Sequence, residues 1–156
     1  MLSVIEYLHM LAAAVLVGKV VLLSFIVAPI LAKNLEREPF GKVVRQLFPA
    51  YYALGMGTAI LGLISVTGLW LILGMSTTLL VAGGTWLVIL AAEAYCRSPL
   101  TPQSNAMRDR LKEQESRGAV DPALQSAWNR LHQRSVYLNS LVLFAGLYLL
   151  LLASRL

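Results

Sequence analysis

The sequence predicts an all-α integral membrane protein, a four-helix bundle. A short interfacial helix is expected after the first span and a polar helical segment between the third and fourth. Three observations carry this. Hydrophobic residues make up 58% of the 156 positions and charged residues 13%, against about 45–50% and about 25% in soluble domains. Mean hydropathy is +0.69. The apolar residues collect in four runs, residues 2–32, 51–73, 77–95 and 135–154, each reaching the roughly 17–25 residues that cross a hydrocarbon core. Residues 1–156 therefore read as one transmembrane domain, with segments 33–50 and 96–134 outside the bilayer. The formal charge of +5 would point to nucleic acid in a soluble chain. Here the basic residues lie between apolar runs and act as topology signals, so the bilayer and not nucleic acid is the expected partner. The single cysteine, Cys96, leaves no intramolecular disulfide to form.

The first run has no Lys or Arg ahead of it and exceeds the apolar core of a signal peptide, so it reads as an uncleaved helix that tilts or kinks near Pro29. Glu6 and His9 are three apart and share a face. Glu-x-x-His is a metal-ligand spacing in di-iron bundles, but the second copy and the extra carboxylates are missing, so they read as polar residues at the outer interface and no metal site is expected. Lys19 falls in mid-span, where an uncompensated cation costs about 2.5–3.5 kcal/mol. Residues 39–48 read as a short helix on the inner interface, started by Pro39 and ended by Pro49, with Tyr51 and Tyr52 marking the membrane border. In span two Gly55, Thr58, Gly62 and Ser65 form a small-residue face suited to close helix packing. Gly74-Met75-Ser76 is a bare turn, which makes spans two and three an antiparallel hairpin.

In the polar segment, Thr101-Pro102 can start a helix and Gly118 can end it. Only Met107 and Leu111 are apolar at helical spacing there, so the segment is expected to be solvated or to lie along headgroups. Asp121-Pro122 is a second helix start, from which one helix runs into span four. On it Trp128, His132, Ser135 and Asn139 share one face, a polar stripe. Eleven of the thirteen basic residues lie in the two segments that four spans place on one side. The positive-inside rule puts that side in the cytoplasm and both termini outside, in a cell inner membrane. Counting about 1.5 Å per residue places Lys19, Glu93 and Asn139 in one layer. Two readings stand side by side: a Lys19–Glu93 ion pair with Asn139 bonding to it, or a snorkelling Lys19 with Glu93 paired to Arg97.

Several of these residues carry a family resemblance. His9, Gly18 and Pro29 in the first helix, Phe40-Gly41, Leu47-Phe48-Pro49, Tyr51 and Tyr52, Pro99, and then His132, Ser135 and Asn139 resemble, in order along nearly the whole chain, the transmembrane-protein-205-like family. In bacteria this is the domain of unknown function 4149. Lys19 is not part of its pattern. The resemblance implies a four-helix membrane protein without an established reaction. It also brings a distant likeness to copper-resistance D-type membrane proteins, and through it haem or copper. With His9 near one face and His132 at the other, one subunit is not expected to hold haem through both.

No enzymatic constellation emerges: His132 and Ser135 are a turn apart but lack a third member and an oxyanion signal. The expected function is a non-enzymatic accessory or interaction subunit of a membrane complex, packing on a partner or a second copy through the small-residue face of span two and recruiting partners with the basic cytoplasmic segment. The alternative is an oligomeric transporter of a small solute or metal ion that uses the Lys19, Glu93 and Asn139 layer.

Overall fold

The computed structural model describes residues 2–153, so Ser154, the expected end of the fourth span, and Arg155 lie outside the described residues. Four helices are long and apolar enough to cross a membrane: α1 Leu2–Asn34, α2 Arg37–Leu73, α3 Thr77–Ser116 and α4 Pro122–Ala153. They stand antiparallel in a ring. Helices α1 and α3 each pack against α2 and α4, and the pairs α1/α3 and α2/α4 face each other across the diagonals.

Each helix buries one seam at helical spacing: Ala12, Ala13, Leu16 and Val20 on α1, Ala59, Val66 and Leu69 on α2, Leu79, Ala82, Trp86 and Ile89 on α3, Val142 and Leu149 on α4. The outward faces are apolar too, with Leu71 80% and Phe144 68% exposed. A helix set that is hydrophobic inside and out is what a lipid solvent requires. This is a multi-pass membrane fold. Where α4 faces α1 the chain has Gly146, at which an added Cβ would lie 2.8 Å from the Val17 side chain and 3.3 Å from that of Leu16.

Helix α1 passes Pro29 without breaking. The disturbance expected there takes the form of a π-turn over Leu22–Val27, in which the Ala28 N–H reaches back to the Leu23 carbonyl. The wider turn relieves the clash of a proline ring with the preceding turn. A second π-turn, Cys96–Leu100, carries α3 through Pro99, and the Thr101 hydroxyl donates to the Cys96 carbonyl at 2.7 Å. The turn between α2 and α3 uses Gly74 at φ 81°, and Ser76 caps α3 by accepting from the Leu79 N–H at 3.2 Å. Gly118, at φ 84°, ends α3, and the Asp121 carboxylate accepts from the Ala123 N–H at 2.8 Å to start α4.

One expectation is corrected. Residues 39–48 are not a separate interfacial helix, because Pro49 lies inside α2. Buried Gly41 and Val44 are in register with Tyr51 and Gly55, so one continuous seam holds the helix together through the proline. The polar segment is mostly exposed, and between residues 101 and 134 its buried positions are Leu111 and Leu131. The stem-side extensions of α2, α3 and α4 pack together, burying Leu111 and Leu131, with Met107 packed on the core that includes Leu131. We call this extension the stem. Arg45 binds both oxygens of Asp109, Arg37 meets Glu115 at 3.0 Å, and Lys112 meets Glu38 at 3.2 Å. In the stem, beyond the apolar spans, the Arg45 hydrogen bond holds the Asp109 carboxyl below its usual range. These pairs are exposed and screened by solvent, and they set orientation more than stability.

Gly146→Val is expected to force α1 and α4 apart, lowering thermal stability in detergent by about 1–3 kcal/mol. Gly57→Ala, which meets nothing within 4 Å, should leave the melting temperature unchanged or slightly raised.

Candidate functional site

Both diagonals of the bundle close at one level. Across the first, Lys19 of α1 donates to Glu93 of α3 at 2.6 Å, with side-chain exposures of 4% and 1%. Helices α1 and α3 are not packed neighbours, so this contact needs space in the middle. Gly55 of α2 provides it: a Cβ there would run into the Glu93 carboxylate and the Lys19 amine. A side chain at 55 would also lie over the turn before it. Its absence leaves the Tyr51 carbonyl open to a second, longer bond from Lys19 at 3.4 Å. The Lys19 amine stands 3.9 Å from the centre of the Tyr51 ring, a cation–π contact strengthened by desolvation.

Across the second diagonal, the Tyr51 hydroxyl donates to Asn139 Oδ1 at 2.9 Å, Asn139 Nδ2 reaches the Tyr52 hydroxyl at 3.4 Å, and Tyr52 and Ser135 share a bond at 3.2 Å. Asn139 therefore joins the layer through Tyr51 and not by a direct bond to Lys19 or Glu93. Arg97 is exposed and takes no part. Tyr51 and Tyr52, expected at the membrane border, are buried at 7% and 2% exposure, because they share the seam of Gly55.

The small-residue face of span two is turned into the bundle and is not available to a partner. Gly55, Thr58, Gly62 and Ser65 are all buried. Thr58 and Ser65 spend their hydroxyls on backbone carbonyls of their own helix, at 2.8 Å each. Gly62 is a notch for Trp86, whose indole would overlap a Cβ there. His9 is likewise turned into the bundle: it is 1% exposed and meets Trp86 edge to face at 5.9 Å. Its ring lies against the Gly62 backbone, yet neither nitrogen reaches a partner with hydrogen-bond geometry. Trp86 Nε1 and Glu93 Oε2 also lack partners among the described residues. Glu6 is only half-buried.

Toward the stem, the polar stripe of α4 lines a cavity of about 570 Å³ bounded by all four helices. Trp128 stacks on His132 at 6.5 Å, and with Ser135 and Asn139 they form one wall. Arg108 of α3 closes the stem end, lying over the Trp128 ring at 5.2 Å and donating to the Gly41 carbonyl at 3.3 Å. The opposite wall is the second half of α1. No residue from Leu22 to Asn34 is buried, and this half does not pack on α4. The cavity therefore opens sideways between α1 and α4, past Phe25 and Val136, both exposed.

A family model described as Domain of unknown function (DUF4149) matches residues 11–112. The chain belongs to that family. Neither the curated proteins nor the solved structures include a match to it. The DUF4149 region takes in Lys19, Tyr51, Tyr52, Gly55, Glu93 and Arg108. His9 and the residues 132, 135 and 139 that contributed to the resemblance lie outside it. Reasoning from the DUF4149 sequence missed the two tyrosines and Arg108 as site residues. Tyr51, Gly55, Thr58, Gly62 and Ser65 share one helical face, and that periodicity was the available signal. Arg108 had none, since its role depends on how α3 and α4 fold back on each other.

In this DUF4149 bundle, Lys19→Met is expected to cost about 3–5 kcal/mol by leaving Glu93 buried without its partner, and Glu93→Leu a similar amount. The double variant should recover most of either loss, measured by thermal unfolding in detergent. Losses that simply add would refute the coupling.

Proposed function

We propose that this DUF4149 protein is a non-enzymatic accessory protein of a cell inner membrane that works by binding at its stem-side cavity. The observation carrying this reading is the contrast between core and cavity. The deep charges are locked to each other under Gly55, whereas the large cavity opens sideways and presents polar side chains. Accessory binding through span two is set aside, because that face is buried. The basic stem belongs in the cytoplasm by the positive-inside rule, with both termini outside.

Transport is the second reading. It draws on the polar groups running from His9 through Glu93, Tyr51 and Asn139 to Ser135, of which both His9 nitrogens and one Glu93 oxygen lack partners among the described residues. Kinship to the transmembrane-protein-205-like and copper-resistance D-type proteins rests on sequence motifs alone. The histidines do not fit a haem held by two imidazoles within one chain. His9 is packed on Trp86 some ten residues outward of Lys19, and His132 is seven residues stemward of Asn139. This puts them about 25 Å apart along the axis.

Proteoliposomes are expected to show no flux of protons or of mono- and divalent cations above empty vesicles. A flux abolished by Glu93→Gln and Asn139→Leu would replace the binding reading with transport. For topology, in a Cys96→Ser background an impermeant maleimide on intact cells should label Met75→Cys and not Ala119→Cys. The opposite pattern would invert the orientation.

A further inference from the structure

We propose that the cavity takes an anionic phospholipid sideways from the stem-side leaflet, with its phosphate on Arg108 and an acyl chain along the second half of α1. This rests on the cavity being a binding site, and three observations carry it further. First, the mouth lies between α1 and α4, past Phe25 and Val136, on the apolar surface of the bundle. A ligand arriving there comes from lipid.

Second, the lining changes character along the bundle axis. Leu23, Phe25 and Leu143 line the bilayer end, where the polar groups of Tyr51 and Asn139 are bonded to each other; the stem end has Ser104, Asn105 and the one cation of the lining, Arg108, beside apolar Phe40 and Leu31. A guest must be apolar at one end and polar at the other, with its polar end toward the stem, which is how a lipid of that leaflet stands. The volume falls within the roughly 300–1,000 Å³ of small-molecule pockets, room for a headgroup and part of one chain, with the second chain lying in the open mouth.

Third, the charge at the polar end is positive and uncompensated. Among the described residues, every acidic side chain near Arg108 is engaged elsewhere: Asp109 by Arg45, Glu38 by Lys42 and Lys112. Arg108 makes no ion pair, and its single hydrogen bond, to Gly41, is long. A guanidinium carries five N–H donors in a fork that matches phosphate oxygens, so most of them remain for a ligand. Trp128 beneath it and Gly41 beside it hold the side chain toward the cavity.

The test is native mass spectrometry of the full chain in mild detergent, given equal amounts of phosphatidylglycerol and phosphatidylcholine with matched acyl chains. One phosphatidylglycerol per chain is expected, preferred about fivefold, the discrimination that one arginine near an anionic headgroup supplies. The preference should vanish in Arg108→Ala, persist in part in Arg108→Lys, and be unchanged in Arg110→Ala, an exposed residue outside the cavity. Val136→Trp, at the mouth, should reduce retention of both lipids. If Arg108→Ala fails to fold, Arg108→Gln takes its place. Equal retention of the two lipids, still blocked by Val136→Trp, overturns the headgroup assignment and leaves the cavity as a binding site. Retention indifferent to both Arg108→Ala and Val136→Trp overturns both readings. An equal loss in Arg110→Ala overturns the proposal in favour of a diffuse basic surface.

Discussion

A cation and an anion can be buried in a membrane bundle only if they meet, and here they sit on helices that face each other across a diagonal and are not packed neighbours. The Lys19–Glu93 bond spans the α1/α3 diagonal through the space that Gly55 leaves in α2. Either charge alone would face a desolvation cost of several kcal/mol. The pair therefore fixes the axial register of α1 against α3. That register sets Tyr51 beneath the amine, and Tyr51 in turn reaches Asn139 on α4. One interaction thus ties together side chains from all four helices at a single depth.

The same logic repeats two turns along α2, where Gly62 receives the Trp86 indole and Trp86 meets His9. Small residues on a membrane helix commonly allow two backbones to approach. On α2 they act instead as receptacles for large groups arriving from α3 and α1. At Gly146, on α4, it is the Val17 and Leu16 side chains of α1 that take the space. A glycine stripe is thus ambiguous in sequence: it marks a place where something large comes near, without saying whether that is a helix, a ring or a charge.

The span count and the turns were legible because they depend on local composition: apolar runs of bilayer length, Gly74 before Ser76, Asp121 before Pro122. The layer of Lys19, Glu93 and Asn139 followed from helical rise alone, since depth in a straight helix is countable. Two prolines misled. Pro49 read as a helix end because a proline removes one donor, but the seam from Gly41 through Val44 to Tyr51 continues past it. Pro99 stood beyond the expected end of span three, yet a π-turn carries the helix through it into the stem. The stem packing and the cavity were not legible, because both depend on α3 and α4 folding back together, a non-local event. The burial of His9 was not legible for a related reason: depth near a helix end says nothing about which way the side chain faces.

The second half of α1 has a consequence for selectivity. From the π-turn at Leu22–Val27 to Asn34 it contributes no buried residue; Leu23 packs on the core at one end and the Leu35-Glu36 link ties the other end to α2. A wall of that kind can bow outward with little loss of core packing, whereas the opposite wall is pinned by the tyrosine and asparagine bonds. The compartment between them is compliant on one side and rigid on the other. It would tolerate guests of differing girth while holding their polar ends to a fixed standard.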